Sequence, residues 1–553
     1  MKDVLIFWIS FFVLLGLATI GFVHVLYALS DRHEKSILTV VTVFLGLTVC
    51  ASAILLPSLD VALAGLGNIS SLGLPNEGIN MGRVQWWVSF AYVLTYALMA
   101  FVLCVAVPFS YVFFEEWDDE SSTRTQAATA FKYTAILVTT VAILFGIGIL
   151  VPNAKRVKGP KDGADWDYFG RLLSVARPVR ALLFVLGLMI LLGTIALIYY
   201  GGTGLATLPV NLLKPSAEQL EASGNPEDAQ VNLDLNRQQQ RAIEVRAEQE
   251  SSADTSLRTR MSRADRMQLD SLQRRERALV RTLNLQREGS SLRKVFSNKV
   301  GRPLQVFVGM VGLILSGGFV TILLLALMRA LIASNACGPR CGVLRQLPAS
   351  LFFNPWETLL QSTPSYVAFI FSSLLALYLL MTLLNGVASL GIRFVWVSLF
   401  PVQASGTVPQ ALLLMVVIAM AGVIGLQWPL LNFVQPGYAT FGGQTFCNAT
   451  TAAQCEQDSS LVLPCVQAIS APVNNLTMLQ HDFSKVACHR SIVSQVVGAL
   501  LANYPWFGIL LFWAQYGLVA IFLVALVTAF VKRPSLAEPT DEEAVDEETA
   551  LLR

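Results

Sequence analysis

Nine apolar stretches, each about 20 residues or longer, recur along this chain of 553 residues. A helix of that length crosses about 30 Å of hydrocarbon at about 1.5 Å per residue. The stretches are continuous rather than alternating, and strands span a bilayer only when they close a barrel, so helices are predicted. The nine predicted spans are Val4–Leu29, Ile37–Leu63, Trp86–Phe113, Phe131–Val151, Ala181–Tyr200, Leu304–Leu331, Tyr366–Leu390, Ala411–Leu431 and Phe507–Val531.

Charge is scarce. Only 14% of the residues are charged and 54% are hydrophobic, whereas soluble globular chains carry about 25% charged residues. The predicted fold class is therefore an all-α polytopic membrane protein. The net charge of +2 gives no sign of a nucleic-acid partner. The first span is longer than the apolar core of a signal peptide, so we expect it to be retained despite a weak cleavage-like pattern at Ala28-Leu29-Ser30.

Sequons and cysteines predict the orientation in the membrane. Three N-x-S/T sequons, at Asn68, Asn448 and Asn475, fall between predicted spans. Glycans are added on the lumenal side, so a lumenal N-terminus and nine spans place all three sequons in the lumen and the C-terminus in the cytosol. The candidate disulfide cysteines then also lie in lumenal loops, where oxidising conditions favour disulfides. These six are Cys337, Cys341, Cys447, Cys455, Cys465 and Cys488.

One loop opposes this orientation. Residues 152–180 carry seven Lys and Arg residues, and a lumenal position for them runs against the positive-inside rule. The charge bias is a tendency that one loop can break, so we give more weight to the agreement of the sequons, the cysteines and the C-terminal tail. The pairing of the cysteines stays open, since four in one loop allow three pairings. Cys337 and Cys341 flank a turn and suit a structural staple better than a redox or metal site.

The spacing of the spans divides the chain into four parts. The cytosolic insert, residues 202–303, contains two stretches rich in helix formers, 235–250 and 263–288, which predict a helical hairpin. It suits a solvated scaffold, a partner-docking surface, or contact of its arginines with anionic lipids. The parts are 1–201 with spans one to five, the cytosolic insert 202–303, 304–531 with spans six to nine and a lumenal Cys-containing loop 432–506, and an acidic cytosolic tail 532–553.

The tail ends in DEEAVDEETALLR, where Glu547 stands four residues before the Leu551-Leu552 pair. In the cytosol this acidic dileucine pattern is available to a sorting adaptor. A second acidic stretch, EEWDDE at 115–120, suggests a divalent-cation site, but a solvated cytosolic rim is the better interpretation.

The sequence holds no pattern typical of an enzyme. It lacks the P-loop, G-x-S-x-G and H-E-x-x-H patterns, and its four histidines have no metal-ligand spacing. We therefore assign no catalytic or metal-binding residue. The spans also lack charge near their centres, with Asp60 and Arg329 expected to reach the interface from span ends. This argues against an ion pump or proton relay, which needs buried carboxylates.

Uncharged polar residues remain within the spans. Asn385, Gln427 and Gln515 would either bond between helices or line a path for a large, polar, weakly charged solute. Pro57 and Pro108 are expected to kink their spans.

Four segments carry a family resemblance: SAILLPSLDV (52–61), VPFSYVFFEEWDDE (107–120), LPVNLLK (208–214) and VPQALL (408–413). They resemble the lysosomal cobalamin transporter branch of the limb-region multi-pass membrane protein family, whose layout of nine spans and a lumenal N-terminus also matches. The resemblance implies a transporter, or transport component, that exports cobalamin from the lysosome to the cytosol. It implies cobalamin as a transported ligand rather than a permanently bound cofactor, and an ABC half-transporter as a partner with the ATP site that this chain lacks.

The cofactor-binding residues stay unknown, because the family's substrate contacts cannot be assigned to positions here. Asp31-Arg32-His33 approaches a cobalt-ligating D-x-H-x-x-G pattern, but Ser36 replaces the glycine and a charged turn is the better interpretation. The alternative function is a receptor or scaffold that escorts a partner transporter to the lysosome.

Overall fold

A computed structural model describes residues 2–29, 37–66, 81–115, 123–150, 177–214, 233–241, 272, 276, 302–337, 354–394, 397–400, 402, 407–447, 462–465 and 490–531. The predicted all-α polytopic class is confirmed. The long helical segments are α1 Lys2–Leu29, α2 Ile37–Leu66, α3 Met81–Phe101, α4 Val107–Glu115, α5 Thr123–Leu150, α6 Arg177–Ala196, α7 Gly202–Leu213, α8 Arg302–Cys337, α10 Ser365–Leu390, α11 Pro409–Pro429 and α14 Pro505–Val531.

Eight helical runs in the described ranges are long and apolar enough to cross a membrane. They are Val4–Tyr27, Ile37–Leu66, Gly82–Glu115, Leu182–Leu213, Arg302–Asn335, Ser365–Leu390, Pro409–Val434 and Pro505–Val531. The predicted fourth span, Phe131–Val151, coincides with the helix α5 but is not among these eight, so a total of nine spans stays a prediction.

Three of these runs contain a π-helical turn, at Val102–Ala106 (π1), Leu197–Gly201 (π2) and Leu430–Val434 (π3). π1 ends just before Pro108 and π3 begins just after Pro429. Proline has no N–H to offer the preceding turn, so a wider turn is one way to accommodate it. α2, in contrast, continues as α-helix through Pro57.

The fourth of these runs, Leu182–Leu213, extends beyond Tyr200, where the fifth predicted span ends. Glycines in this extension and in α10 allow close packing of the two helices. A Cβ at Gly204 would collide with the backbone of Thr382 on α10, and one at Gly386 would collide with the backbone of Tyr200. These small residues let the two helices approach closely, as is common in membranes.

A second close crossing joins α6 and α11. A Cβ at Gly193 would meet the backbone of Ala421 and Gly425, and a Cβ at Gly425 would meet the backbone of Gly193. α2 packs against α1, α3, α10 and α11, and most of its side chains are buried. These contacts enclose α2 along most of its length.

Short elements lie between the long helices. They are α9 Pro355–Ser362, α12 Pro436–Phe441, α13 Ile492–Asn503 and the strands β1 Ile392–Phe394, β2 Val397–Phe400, β3 Thr445–Cys447 and β4 Val462–Pro464. The strands form two antiparallel pairs, β1 with β2 and β3 with β4. Cys465, which follows β4, takes part in a disulfide.

The chain divides into two compact units, one of Met1–Leu208 with Ile314–Leu526 and one of Pro209–Leu313 with Val527–Arg553. In the second unit, cationic side chains bind helix C-termini. Lys214 donates to the carbonyls of Ala529 and Phe530 in the last turn of α14. Arg302 donates to the carbonyls of Leu213 and Lys214 at the C-terminal end of α7, both at 3.1 Å. Cations are favoured at this end of a helix.

The same unit holds contacts between the two stretches predicted as a hairpin. Asn236 donates its amide to the carbonyl of Leu272 at 2.8 Å, and Arg237 pairs with Glu276 at 2.6 Å. The side chain of Glu276 therefore contributes an ion pair between the two predicted stretches.

Candidate functional site

The candidate site is a series of polar contacts along α2, here called the polar ladder. It consists of five α2 positions with their partners: Thr42, Ser52, Ala53, Ser58 and Asp60. Thr42 and Asp60 are 18 residues apart, which corresponds to about 27 Å along a helix. The polar ladder therefore extends over most of the thickness of a bilayer core.

Hydroxyl pairs form three of these contacts. Thr42 lies 3.0 Å from the hydroxyl of Ser110 on α4, and Ser52 lies 3.2 Å from Thr95 on α3. Ser58 lies 3.0 Å from Ser372 on α10. Each contact joins α2 to a different neighbouring helix, and the paired hydroxyl groups carry no charge.

Gln427 occupies the middle of the polar ladder. Its amide nitrogen donates to the backbone carbonyl of Ala53 at 2.9 Å, and its amide oxygen accepts the hydroxyl of Tyr96 at 2.8 Å. Tyr96 and Tyr92, one turn apart on α3, have nearly parallel rings with centroids 6.2 Å apart. A stacked aromatic pair and a paired amide thus lie side by side against α2.

Asp60 ends the polar ladder. Its Oδ2 accepts the hydroxyl of Tyr92 at 3.3 Å and the backbone N–H of Val493, in the first turn of α13, at 3.0 Å. The side chain is buried, with 4% exposure. The expectation that Asp60 reaches the interface is therefore wrong, because α13 covers the end of α2.

A second buried carboxylate lies outside the long helices. Oε1 of Glu357 on α9 accepts the backbone N–H groups of Gly437 at 2.6 Å and Tyr438 at 3.1 Å, at the start of α12. Glu357 is 1% exposed. Burial raises the pKa of this carboxyl, while the two N–H donors and the charge of Arg329 lower it. The absence of buried carboxylates that the sequence suggested does not hold.

The other amides within spans differ in their partners. Asn385 on α10 donates to the hydroxyl of Thr207 on α7 at 2.9 Å, so it bonds between helices as Gln427 does. Gln515 on α14 donates to the carbonyl of Leu511 in its own helix at 3.1 Å. Gln427 and Asn385 confirm the expectation of interhelical hydrogen bonding, and only Gln427 joins the polar ladder.

Several predicted site residues, or their side chains, lie outside the part of the chain that the structure describes. These are the sequons Asn68, Asn448 and Asn475, the sorting residues Glu547, Leu551 and Leu552, the stretch 116–120, His33, and the cysteines other than Cys465, Cys50 and Cys104. Cys50 and Cys104 carry free thiols. In the part of the chain that the structure describes, no three His, Cys, Asp or Glu side chains form a group able to hold a metal ion.

The sequence does carry a local signal at Glu357. Asn354-Pro355-Trp356-Glu357 has an N-cap residue, a proline at the first helical position and a glutamate at the third. Asn354 does cap α9, since its side-chain oxygen accepts the N–H of Glu357 at 3.3 Å. The pattern locates a helix start, but it gives no sign that the glutamate binds α12.

The segments that carry the family resemblance contribute to this site. SAILLPSLDV supplies Ser52, Ala53, Ser58 and Asp60 of the polar ladder. Gln410, in VPQALL, donates to Glu115, in VPFSYVFFEEWDDE, at 3.4 Å. Two segments far apart in sequence therefore meet at the start of α11 and the end of α4.

Comparison with known proteins gives consistent matches. The sequence model of the LMBR1-like membrane protein family matches residues 3–274. The "Probable lysosomal cobalamin transporter" of Aspergillus terreus is 33% identical over 549 residues, covering 95% of this chain and 90% of that protein. The proteins of the same name from Podospora anserina and Neurospora crassa are 32% and 30% identical over 571 residues, covering 99% of this chain and 92% and 91% of theirs. No solved structure matches the chain.

Proposed function

Because this chain belongs to the LMBR1-like membrane protein family, we propose that it is a lysosomal membrane transporter that moves cobalamin from the lumen to the cytosol. The single observation that carries the proposal is similarity over nearly the whole length. The chain covers at least 90% of relatives named as probable lysosomal cobalamin transporters, at 33%, 32% and 30% identity. The match thus extends to the polar ladder and the short elements that cover it.

The chemistry of the polar ladder supports this cargo. Cobalamin presents amide side chains around a planar corrin ring and carries little net charge. The polar ladder offers amide and hydroxyl groups beside the stacked rings of Tyr92 and Tyr96, with its one carboxylate, Asp60, at the end. Amides exchange hydrogen bonds with such groups, and flat rings stack on aromatic side chains.

The hydrogen bonds of the polar ladder are weak enough for its helices to separate. Hydrogen bonds between membrane helices contribute about 0.6 kcal/mol each on average, so the six bonds that join α2 to its neighbours hold the polar ladder closed with about 4 kcal/mol. A solute that brings its own amides replaces these bonds as it passes. The close crossings at Gly193 with Gly425 and at Gly204 with Gly386 lack side chains that interlock, which suits helices that slide.

The membrane orientation and the lysosomal localisation are part of the proposal. The N-terminus and the Cys-containing loop face the lumen, with the sequons Asn68, Asn448 and Asn475, and the C-terminal tail faces the cytosol. There the acidic dileucine of Glu547, Leu551 and Leu552 binds a sorting adaptor. The chain itself catalyses no reaction, and an ABC half-transporter supplies ATP hydrolysis where transport requires it.

Cells that lack the chain provide the test. Their lysosomes are loaded with labelled cobalamin by endocytosis, and the label is followed into the cytosol. We expect cobalamin to remain in lysosomes without the chain and to leave after the wild-type chain is restored. Equal efflux with and without the chain, in cells with normal lysosomal pH, would reject the proposal.

The alternative of an escort is not favoured, since the relatives that match over nearly full length are named as transporters. The two functions differ in cobalamin binding. Equilibrium dialysis of the purified chain against labelled cobalamin should give saturable binding for a transporter. A chain that binds a partner transporter but no cobalamin would be an escort.

A further inference from the structure

α9 makes polar contacts with the chain where π3 ends and α12 begins. Asn354 donates its amide to the carbonyl of Val434 at 2.8 Å, and the indole N–H of Trp356 donates to the side chain of Gln435 at 3.4 Å. Glu357 accepts the N–H groups of Gly437 and Tyr438. Three side chains at the start of α9 therefore contact four of the five residues 434–438. We call α9 together with residues 434–438 the α9 joint.

The carboxylate differs from the other groups of the α9 joint because it can change its charge. Its Oε1 accepts both N–H groups, with Gln361 of the same helix at 3.5 Å. Its Oε2 is buried and has no hydrogen-bond partner among the described residues. A proton on Oε2 leaves Oε1 free to accept both N–H groups, so the geometry of the α9 joint suits the neutral acid as well as the anion.

The neighbouring elements bring few charges to Glu357. α8 brings Arg329, and α12 brings the buried Tyr438. α10 contains no Asp, Glu, Lys, Arg or His. α2 brings Asp60, next to Val61, which packs in one cluster with Tyr438 and Leu360 of α9. Burial outweighs the charge of Arg329 and the two N–H donors, so the pKa of Glu357 is raised.

The α9 joint is continuous with the polar ladder. Gln435 bonds to Ser372 through its amide nitrogen at 3.3 Å, and Ser372 lies 3.0 Å from Ser58 of α2. Gly442, with φ of +60°, ends α12 against the carbonyl of Val61. A shift of α12 away from α9 therefore disturbs the end of the polar ladder at Ser58 and Asp60.

We propose that Glu357 is a proton-binding site, and that the α9 joint is most stable when Glu357 holds a proton, so that an acidic lumen keeps this end of the polar ladder closed. The link to transport rests on the proposed function and on a lumenal position for α9. The sign follows from burial. Opening exposes the carboxyl to water and returns its pKa toward the ordinary value, so opening releases a proton and closure takes one up.

Amide hydrogen exchange of the purified full-length chain tests this without cobalamin. The observable is the protection factor of Gly437 and Tyr438, which corrects for the intrinsic effect of pH on exchange. As pH rises from about 5 to about 7.5, we expect protection to fall, because the buried carboxyl of the closed α9 joint loses the proton that stabilises closure. Protection that is constant, or that is lower in acid, would overturn the proposal even in a chain that transports cobalamin.

Glu357→Gln provides the matched variant, because the amide keeps an acceptor at the position of Oε1 and carries no charge. We expect it to show the high protection of the wild type in acid at both pH values. Glu115→Gln, at an exposed glutamate of α4, should keep the wild-type response. A pH response that persists in Glu357→Gln would assign the proton to another group, and the wild-type profile decides alone if that variant does not fold.

Discussion

The backbone N–H of Val493 donates a hydrogen bond to Asp60 at 3.0 Å across 433 positions of sequence. Val493 lies in the first turn of α13, where a carboxylate offsets the unpaired N–H groups and the helix dipole. Asp60 also binds Tyr92 of α3. One side chain thus connects two apolar spans to the helix that precedes α14.

Replacing Asp60 should show how much this connection contributes. Asp60→Ala leaves the N–H of Val493 and the hydroxyl of Tyr92 without their acceptor, so we expect about 2 kcal/mol less stability and a lower Tm. Asp60→Asn keeps an acceptor oxygen and should lose less. Thermal unfolding in detergent, with Tyr92→Phe as a control that removes one donor, measures this. Wild-type stability in Asp60→Ala would contradict the assigned role.

The crossing of α6 and α11 makes a prediction about glycine. A Cβ at Gly193 collides with the backbone of Ala421 and Gly425, so Gly193→Ala should separate the helices and lower the Tm. Gly317→Ala is the matched control, because a Cβ there meets nothing within 4 Å. Alanine is a better helix former than glycine by about 0.5–1 kcal/mol, so this control should be neutral or slightly stabilising. Equal Tm values for both variants would contradict the close crossing.

The proposed orientation predicts which segments carry glycans and which segments are accessible to protease. In intact lysosomes, protease added outside should remove the C-terminal tail, while the glycans remain protected. Replacing Asn68, Asn448 and Asn475 by Gln in turn should increase gel mobility stepwise. A protected tail, or glycans on the same side as the tail, would invert the topology that we propose.

The tail makes a separate prediction for sorting. Leu551→Ala with Leu552→Ala should move the protein to the cell surface, because adaptor binding requires both leucines. Leu536→Ala, in the same tail, is the matched control and should stay in lysosomes. Surface biotinylation measures the redistribution. Lysosomal residence of the double variant would show that another signal directs the protein.

The sequence predicts the long helices well because hydropathy is a local property. The ends of α1, α10 and α14 lie within a few residues of the predicted ones. Gln427 is also recognisable, since an amide within an apolar span needs a partner in a neighbouring helix. The π-helical turns are not predicted, because proline indicates a disturbed helix but does not specify how the backbone accommodates it.

The carboxylates show why the site is harder to predict. Asp60 and Glu357 are buried by α13 and α12, whose first turns lie 433 and 80 residues further along the chain. Nothing local to SLD or NPWE specifies those partners. A carboxylate near a span end is normally taken as solvated, and only the folded chain shows that a second helix covers it.

Cobalamin flux through liposomes that contain only the purified chain tests the central claim most directly. We predict time-dependent release of preloaded labelled cobalamin by the wild type. Gln427→Leu removes the amide that the proposed path offers to the amides of cobalamin, so it should slow release about tenfold, equivalent to a barrier about 1.4 kcal/mol higher. Gln515→Leu, which loses a bond within its own helix, should leave release unchanged. If liposomes with a wild-type chain of normal Tm released cobalamin no faster than loaded liposomes without protein, this result would contradict the account.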